Sequence, residues 1–336
     1  MTTTTAHPDA TTAGRNRTPD ARTNGTMKKT IGLIIGLPIV IGLMLWAFLA
    51  PTFGSGPDGV PVAVTGPEPV VQKLIAQAEQ QDEHPDFITV NSQEEAEQMV
   101  RDRDAVGAIA VGPKGATVYT ASGNGAPYVQ MLNGVSQNMQ SAGMKVDMQD
   151  LAPTTNEDPQ AQGLALLGLP LTFGGVISGM LATLLLRGHK WLKAAVIAGV
   201  AILGAGVAVW MLHGIYGTLA GSAGMEWLAI ALGIAATSSV TAGLGALLGV
   251  PGAGLGAVLT IFVSNPLSGL ATGPWLLPAG WSTLGQLMPI GATGYLVRSL
   301  SFFDGAGAAR PWTVLCCWGA VGLILLTFDR SKEKAS

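Results

Sequence analysis

The sequence predicts an α-helical membrane protein with six transmembrane helices and a small mixed α/β extracellular domain inserted between the first and second helices. Three observations predict it. The run Ile31 to Ala50 is apolar and free of charge, with the ~20 residues a helix needs to cross a bilayer. A polar stretch, residues 51–162, follows and holds 15 of the 21 acidic residues. Five further apolar stretches then fill the chain, at about 163–186, 194–213, 227–248, 252–267 and 312–328.

Residues 1–29 are rich in Thr, Ala, Asn and Pro and show no apolar face, which predicts a disordered cytoplasmic tail. Residues 30–50 are the first transmembrane helix. Their apolar stretch exceeds the 7–15 residues of a signal-peptide core, and Pro51 directly follows Ala50, so an uncleaved anchor is expected. Residues 51–162 are the extracellular domain. Residues 163–329 are a five-helix membrane block, and residues 330–336 a second cytoplasmic tail.

Basic residues orient the chain. Arg15, Arg17, Arg22, Lys28 and Lys29 precede the first span. Arg187, His189, Lys190 and Lys193 follow the second, and Arg330, Lys332 and Lys334 follow the last. Short loops rich in Lys and Arg stay in the cytoplasm. All three groups do so in a multi-pass plasma-membrane protein of six spans with both termini inside. Residues 51–162 and the loop 268–310 then face outward. The extracellular domain carries 15 acidic and 5 basic residues. That charge repels nucleic acid and reads first as a solvated surface.

Within the insert, short β-branched runs alternate with helical patterns. Val60–Val64, Phe87–Val90, Val106–Val111, Ala116–Thr120 and Lys145–Met148 read as strands. Glu68–Gln81, a helix starting near Ser92, and Pro127–Met144 read as helices. Ser92 and Glu95 have capping-box spacing. The order βαβαββαβ predicts a sheet packed by helices.

No catalytic set emerges. The insert has no cysteine, and its single histidine, His84, lies in a polar turn. Glu94, Glu95, Glu97, Asp102 and Asp104 lack the spacing of an EF-hand loop. No metal or cofactor is expected, and the chain does not read as an enzyme. Cys316 and Cys317, adjacent in the last span, are expected to be buried by packing.

The spans carry almost no ionisable residue. Glu226 and His213 fall at expected span ends, in reach of water, so proton-coupled transport is disfavoured. Gly175 and Gly179, Gly245 and Gly249, and Gly252 and Gly256 have the spacing that lets helices approach closely. Packing within one bundle and a homodimer seam are both open. The loop 268–310 is too apolar for open water and too broken for one helix. A re-entrant or interfacial hairpin on the outer face satisfies both constraints. Its candidate functional residues are Asn265, Pro266, Gly269, Trp275, Pro278, Gly280, Trp281, Gln286, Pro289, Gly291, Phe302, Phe303 and Asp304.

Several stretches of this loop carry a resemblance. They are Asn265-Pro266-Leu267-Ser268-Gly269, Leu277-Pro278-Ala279-Gly280-Trp281, Gly285-Gln286, Pro289, Gly291-Ala292 and Phe302-Phe303-Asp304-Gly305-Ala306. They resemble actinobacterial members of the type-2 ABC export permease superfamily. The plan of one span, an extracellular domain and a membrane block is similar to the YhgE/phage-infection-protein (Pip) proteins. Ser92-Gln93-Glu94-Glu95-Ala96 and Val106–Val111 in the insert fit the same pattern. The resemblance implies export of a hydrophobic, peptide or envelope substrate, with ATP hydrolysed by a separate cytoplasmic subunit. The chain has no Walker motif of its own. The alternative is an ATPase-independent accessory, receptor or assembly protein that meets an envelope protein through its extracellular domain. Membrane lipids are partners under either reading.

Overall fold

The computed structural model describes residues 20–53, 56–80, 85–278 and 280–329. His84, Arg15, Arg17, Arg330, Lys332 and Lys334 lie outside them. The chain divides into two compact units, residues 1–46 and residues 47–336. Helix α1 spans Asp20–Phe53. The polar residues from Asp20 to Lys29, expected to be disordered, therefore continue the helix. Once the apolar run has nucleated it, each added residue gains a backbone hydrogen bond at little further cost.

In the second unit, residues 61–150 form the inserted domain. Its elements are β1 (Pro61–Thr65), α2 (Glu68–Gln80), β2 (Asp86–Thr89), α3 (Gln93–Arg101), β3 (Gly107–Gly112), β4 (Gly115–Thr120), α4 (Ala126–Ser141) and β5 (Val146–Asp150). The strand order is β2-β1-β3-β4-β5. β1 is parallel to both β2 and β3, β3 and β4 form an antiparallel hairpin, and β5 is parallel to β4. Side chains alternate across the sheet. Val62, Val64, Ile109 and Val118 pack with Tyr128 and Leu132 of α4 on one face. Ala63, Ala108 and Ala110 pack with Ala96 and Val100 of α3 on the other. Ser92 Oγ accepts from the Glu95 amide at 3.1 Å. Glu95 Oε2 accepts from the amide of Asn91, one residue before the expected partner, at 2.9 Å.

The helical bundle follows. α5 (Gln162–Leu166) leads into α6 (Gly168–Leu185), and α7 (Lys190–Val209) continues as a π-helical turn, Trp210–Ile215. α8 (Ala223–Leu248) is buried along most of its length and is the central helix. α9 (Val250–Val258) also ends in a π-helical turn, Leu259–Ser264. α10 (Trp281–Gln286), α11 (Pro289–Phe302) and α12 (Ala309–Thr327) complete the chain. Among the described residues, five helices are long and apolar enough to cross a membrane. The stretch Val250–Ser264, expected to be a full span, has 15 residues. At 1.5 Å per residue that is about 22 Å, short of the ~30 Å hydrocarbon layer.

The helices alternate in direction. Gly163 of α5 lies beside Thr218 after α7, and Gly168 at the start of α6 lies beside Asn265 at the end of the short helix. At the opposite face the start of α7 meets the end of α12 through Lys193 and Asp329. The inserted domain sits on the first of these faces.

Candidate functional site at the junction of the inserted domain and the broken hairpin

Past Ser264 the chain cannot stay helical. Pro266 ends the amide ladder, and Gly269 (φ 65°) and Gly273 (φ 86°) turn it in a backbone region that side chains disfavour. Short 3₁₀ turns at Pro266–Ser268 and Pro274–Leu276 lead to α10. Gln286 Nε2 donates to the Ser268 carbonyl at 3.0 Å, and the Ile290 amide donates to Ser264 Oγ at 3.1 Å. A Cβ at Gly291 would collide with the Gly285 carbonyl, so the two arms of the hairpin close only on glycine. Pro289 opens α11, where a missing amide costs nothing. α11 is not interfacial: Ile290, Ala292, Leu296 and Val297 are buried in the core shared with α8.

The candidate residues divide into groups. Asn265, Pro266, Gly269, Gln286, Pro289 and Gly291 gather at the inner turn, buried or half-buried. Trp275, Gly280 and Asp304 are exposed, and Pro278 and Trp281 half-buried, so these five stand at the periphery. Phe302 and Phe303 turn toward the inserted domain. Phe303, 5% exposed, completes the alanine-rich layer beneath α3.

That contact leads to residues which the loop pattern does not single out. Arg298 of α11 donates from Nη1 to the Gly123 carbonyl at 2.9 Å and from Nη2 to the Leu270 carbonyl at 3.3 Å. Arg103, from the loop before β3, donates to the Tyr295 carbonyl at 3.1 Å and to Ser299 Oγ. Its guanidinium lies 3.6 Å from the centre of the Tyr295 ring and 4.7 Å from that of Phe303. Tyr128 Oη accepts from the Trp275 amide at 2.8 Å. Burial pushes the Tyr128 hydroxyl well above the ordinary phenol range. Three side chains thus fasten one end of the inserted domain to the hairpin and α11. Arg298 had a signal in the sequence, a lone cation within an apolar stretch. Arg103 had none, because it sits among Asp102 and Asp104 in a run that looks solvated.

Two ionisable pairs correct the expectation that the spans exclude charge. Glu226 does not meet water: it is fully buried. Its carboxylate meets His213 Nδ1 at 2.9 Å and accepts from the Gly221 amide at 2.9 Å and Ser301 Oγ at 2.7 Å. Lys193 is likewise buried at 1% exposure, against Asp329 at 2.9 Å. Cys316 and Cys317, expected to be packed inside, are both exposed on α12.

The small residues act within the chain. A Cβ at Gly175 would meet Thr237 at 2.6 Å, and one at Gly179 would meet the Ser238 carbonyl at 2.6 Å. Gly245 faces Thr183, Gly252 faces the Leu244 carbonyl, and Gly256 faces Thr241. Gly249 takes no part in close packing and forms the bend between α8 and α9 at φ 73°. Ser178 and Ser238 share a hydrogen bond of 2.7 Å across α6 and α8.

Two cavities complete the picture. A largely apolar groove of about 580 Å³ runs between α6 and α7, past Leu166, Pro170, Val207 and Met211, with Glu157 and Asp158 at one end. A crevice of about 650 Å³ lies at the ends of β1 and β3, among Gly66, Ser92, Pro113 and Lys145. It sits where the connections from β1 and β3 diverge, the position at which open α/β sheets take ligands.

No curated protein and no solved structure matches the chain significantly. Residues 28–182, a little under half of the chain, are similar to the family described as ABC-2 family transporter protein.

Proposed function

We propose that the chain is the membrane permease of a cell-envelope exporter, moving a hydrophobic, peptide or envelope substrate outward with energy from a separate ATPase. The observation that carries this reading is the family match over residues 28–182, which runs from the first span through the inserted domain into α6. The bundle supports it: a central helix packed through small and hydroxyl residues, with a broken hairpin at membrane depth, which is tolerated where protein shields the backbone or a path is lined. The inserted domain faces outward under this reading, because Arg187, His189, Lys190 and Lys193 lie at the opposite face. This reading assigns ATP hydrolysis to the separate subunit, because the sequence has no Walker motif.

The decisive experiment is affinity purification of the full chain from its native membrane. An ATPase in stoichiometric amount, whose activity rises with the permease, supports the exporter. Purification without one, over a range of detergents, sinks it. Orientation has its own check: Ser141→Cys, exposed on the inserted domain, should react with an impermeant thiol reagent on intact cells lacking Cys316 and Cys317.

A second reading is favoured by two observations. Only four residues separate α6 from α7, little for gripping an ATPase. A crevice also opens at the strand ends of the inserted domain, among Gly66, Ser92 and Lys145. Both fit a YhgE/Pip-like receptor or assembly protein acting through its inserted domain, and capture of an envelope partner with no ATPase would favour it.

A further inference from the structure

Two buried guanidinium groups share a small space at the junction, and neither faces an acid. Arg103 is 6% and Arg298 4% exposed. Among the described residues the salt bridges are Lys193–Asp329 and His213–Glu226, and neither arginine takes part in one. Arg298 is held by two carbonyl oxygens, and Arg103 by one carbonyl, one hydroxyl and two ring faces. Such dipoles offset part of a positive charge but do not neutralise it. Burial lowers the pKa of Arg103 to about 10, so it keeps its proton at neutral pH. Its Nε–H, fully enclosed, has no hydrogen-bond partner. Both arginines line one cavity of about 10 Å³, together with Ser268, Gln286, Gly294 and Tyr295. That volume suits one water or one monatomic ion.

We infer that this cavity binds a monatomic anion, chloride or bromide, held between Arg103 and Arg298. Two like charges in a poorly polarisable interior raise each other's energy, and an anion between them reverses the sign of the interaction. A water in that space would leave both charges unopposed. Sulfate, phosphate and carboxylates are too large for the space. The ion would join Arg103 of the inserted domain to Arg298 of the hairpin, so docking of the two would depend on halide. This holds whether or not the chain is an exporter.

The test uses the purified full chain in detergent, unfolded thermally at constant ionic strength while sodium gluconate is replaced by sodium chloride or sodium bromide. Linkage predicts a saturable rise in Tm, about 2–4 °C at a tenfold excess over the midpoint concentration. Arg103→Gln and Arg298→Gln should each abolish the halide dependence. Anomalous scattering from bromide-grown crystals should place one ion between the two side chains. If either variant fails to fold, the comparison on the unaltered chain still decides. Equal Tm in chloride and gluconate at all concentrations overturns the inference, leaving a water in the cavity. A halide effect of unchanged size in Arg103→Gln overturns it as well, because the ion then binds elsewhere.

Discussion

Arg298, on a helix buried in the bundle, hydrogen-bonds at 2.9 Å to the carbonyl of Gly123, in the turn that follows strand β4 of the inserted domain. The partners are 175 residues apart in sequence. The domain is therefore fastened to the helical block through a side chain within it, in addition to the peptide links at its two ends. Any movement of α11 is passed to the sheet, and any load on the sheet reaches the hairpin.

Removing that side chain should loosen the junction. Arg298→Met leaves the carbonyls of Gly123 and Leu270 buried without a donor, at about 1–3 kcal/mol each. Arg298→Lys should recover little, since one ammonium cannot reproduce a planar fork. Limited proteolysis of the inserted domain should accelerate in both variants. Protection equal to that of the unaltered chain would show that the contact carries no load.

Phe303 makes a second test of the same dependence. It fills the layer beneath α3 although it belongs to the helical block. Phe303→Ala should cost about 3–5 kcal/mol, as for other buried aromatics. The excised domain, which must run past Asp150 to keep β5 whole, should give a mixed α/β circular dichroism spectrum and unfold cooperatively. Its Tm should lie below that of the same domain in the full chain, with Phe303→Ala moving the full chain toward it. Equal melting temperatures would mean that the domain is self-sufficient.

The pair Lys193–Asp329 is suited to a double-mutant cycle. Asp329→Asn alone strands the buried Lys193 ammonium, at about 3–5 kcal/mol, and Lys193→Met removes the cation that lies 2.9 Å from the Asp329 carboxylate. Changing both should cost much less than the sum. Additive losses would indicate that the two charges do not interact.

Glycine substitutions separate the hairpin's closure from its outer rim. Gly291→Val collides with the Gly285 carbonyl and should sharply lower the amount of folded protein. Gly280, at φ 81° with nothing within 4 Å, has room for a side chain. Gly280→Leu should cost about 1–2 kcal/mol of backbone strain and leave abundance near normal. If the rim shapes an exit path, Gly280→Leu and Trp281→Ala lower export more than abundance. Equal losses of both would make the rim a seal.

The order of strands and helices in the insert, the apolar runs and the break after Ser264 were all legible in the sequence. Each is a local signal: a period of 2 or 3.6 residues, or a proline or glycine that forbids the next turn. The capping pattern at Ser92 was equally local, apart from the amide that Glu95 chose. The depth of any given residue was not legible. Arg103 and Glu226 look like surface residues because their neighbours in sequence are polar or lie at a helix end, and Lys193 looks like part of a basic loop. Cys316 and Cys317 look buried because the span around them is apolar. Burial is decided by what another element brings alongside. Arg103 meets Tyr295 and Ser299 across more than 190 positions, and Glu226 meets Ser301 across 75. The sequence by itself determined the order of strands and helices in the insert and where the long apolar helices lie, since those follow from neighbouring residues. Only the tertiary structure decided where the charges are enclosed and what fastens the inserted domain, because pairing energy exists only once distant segments have met.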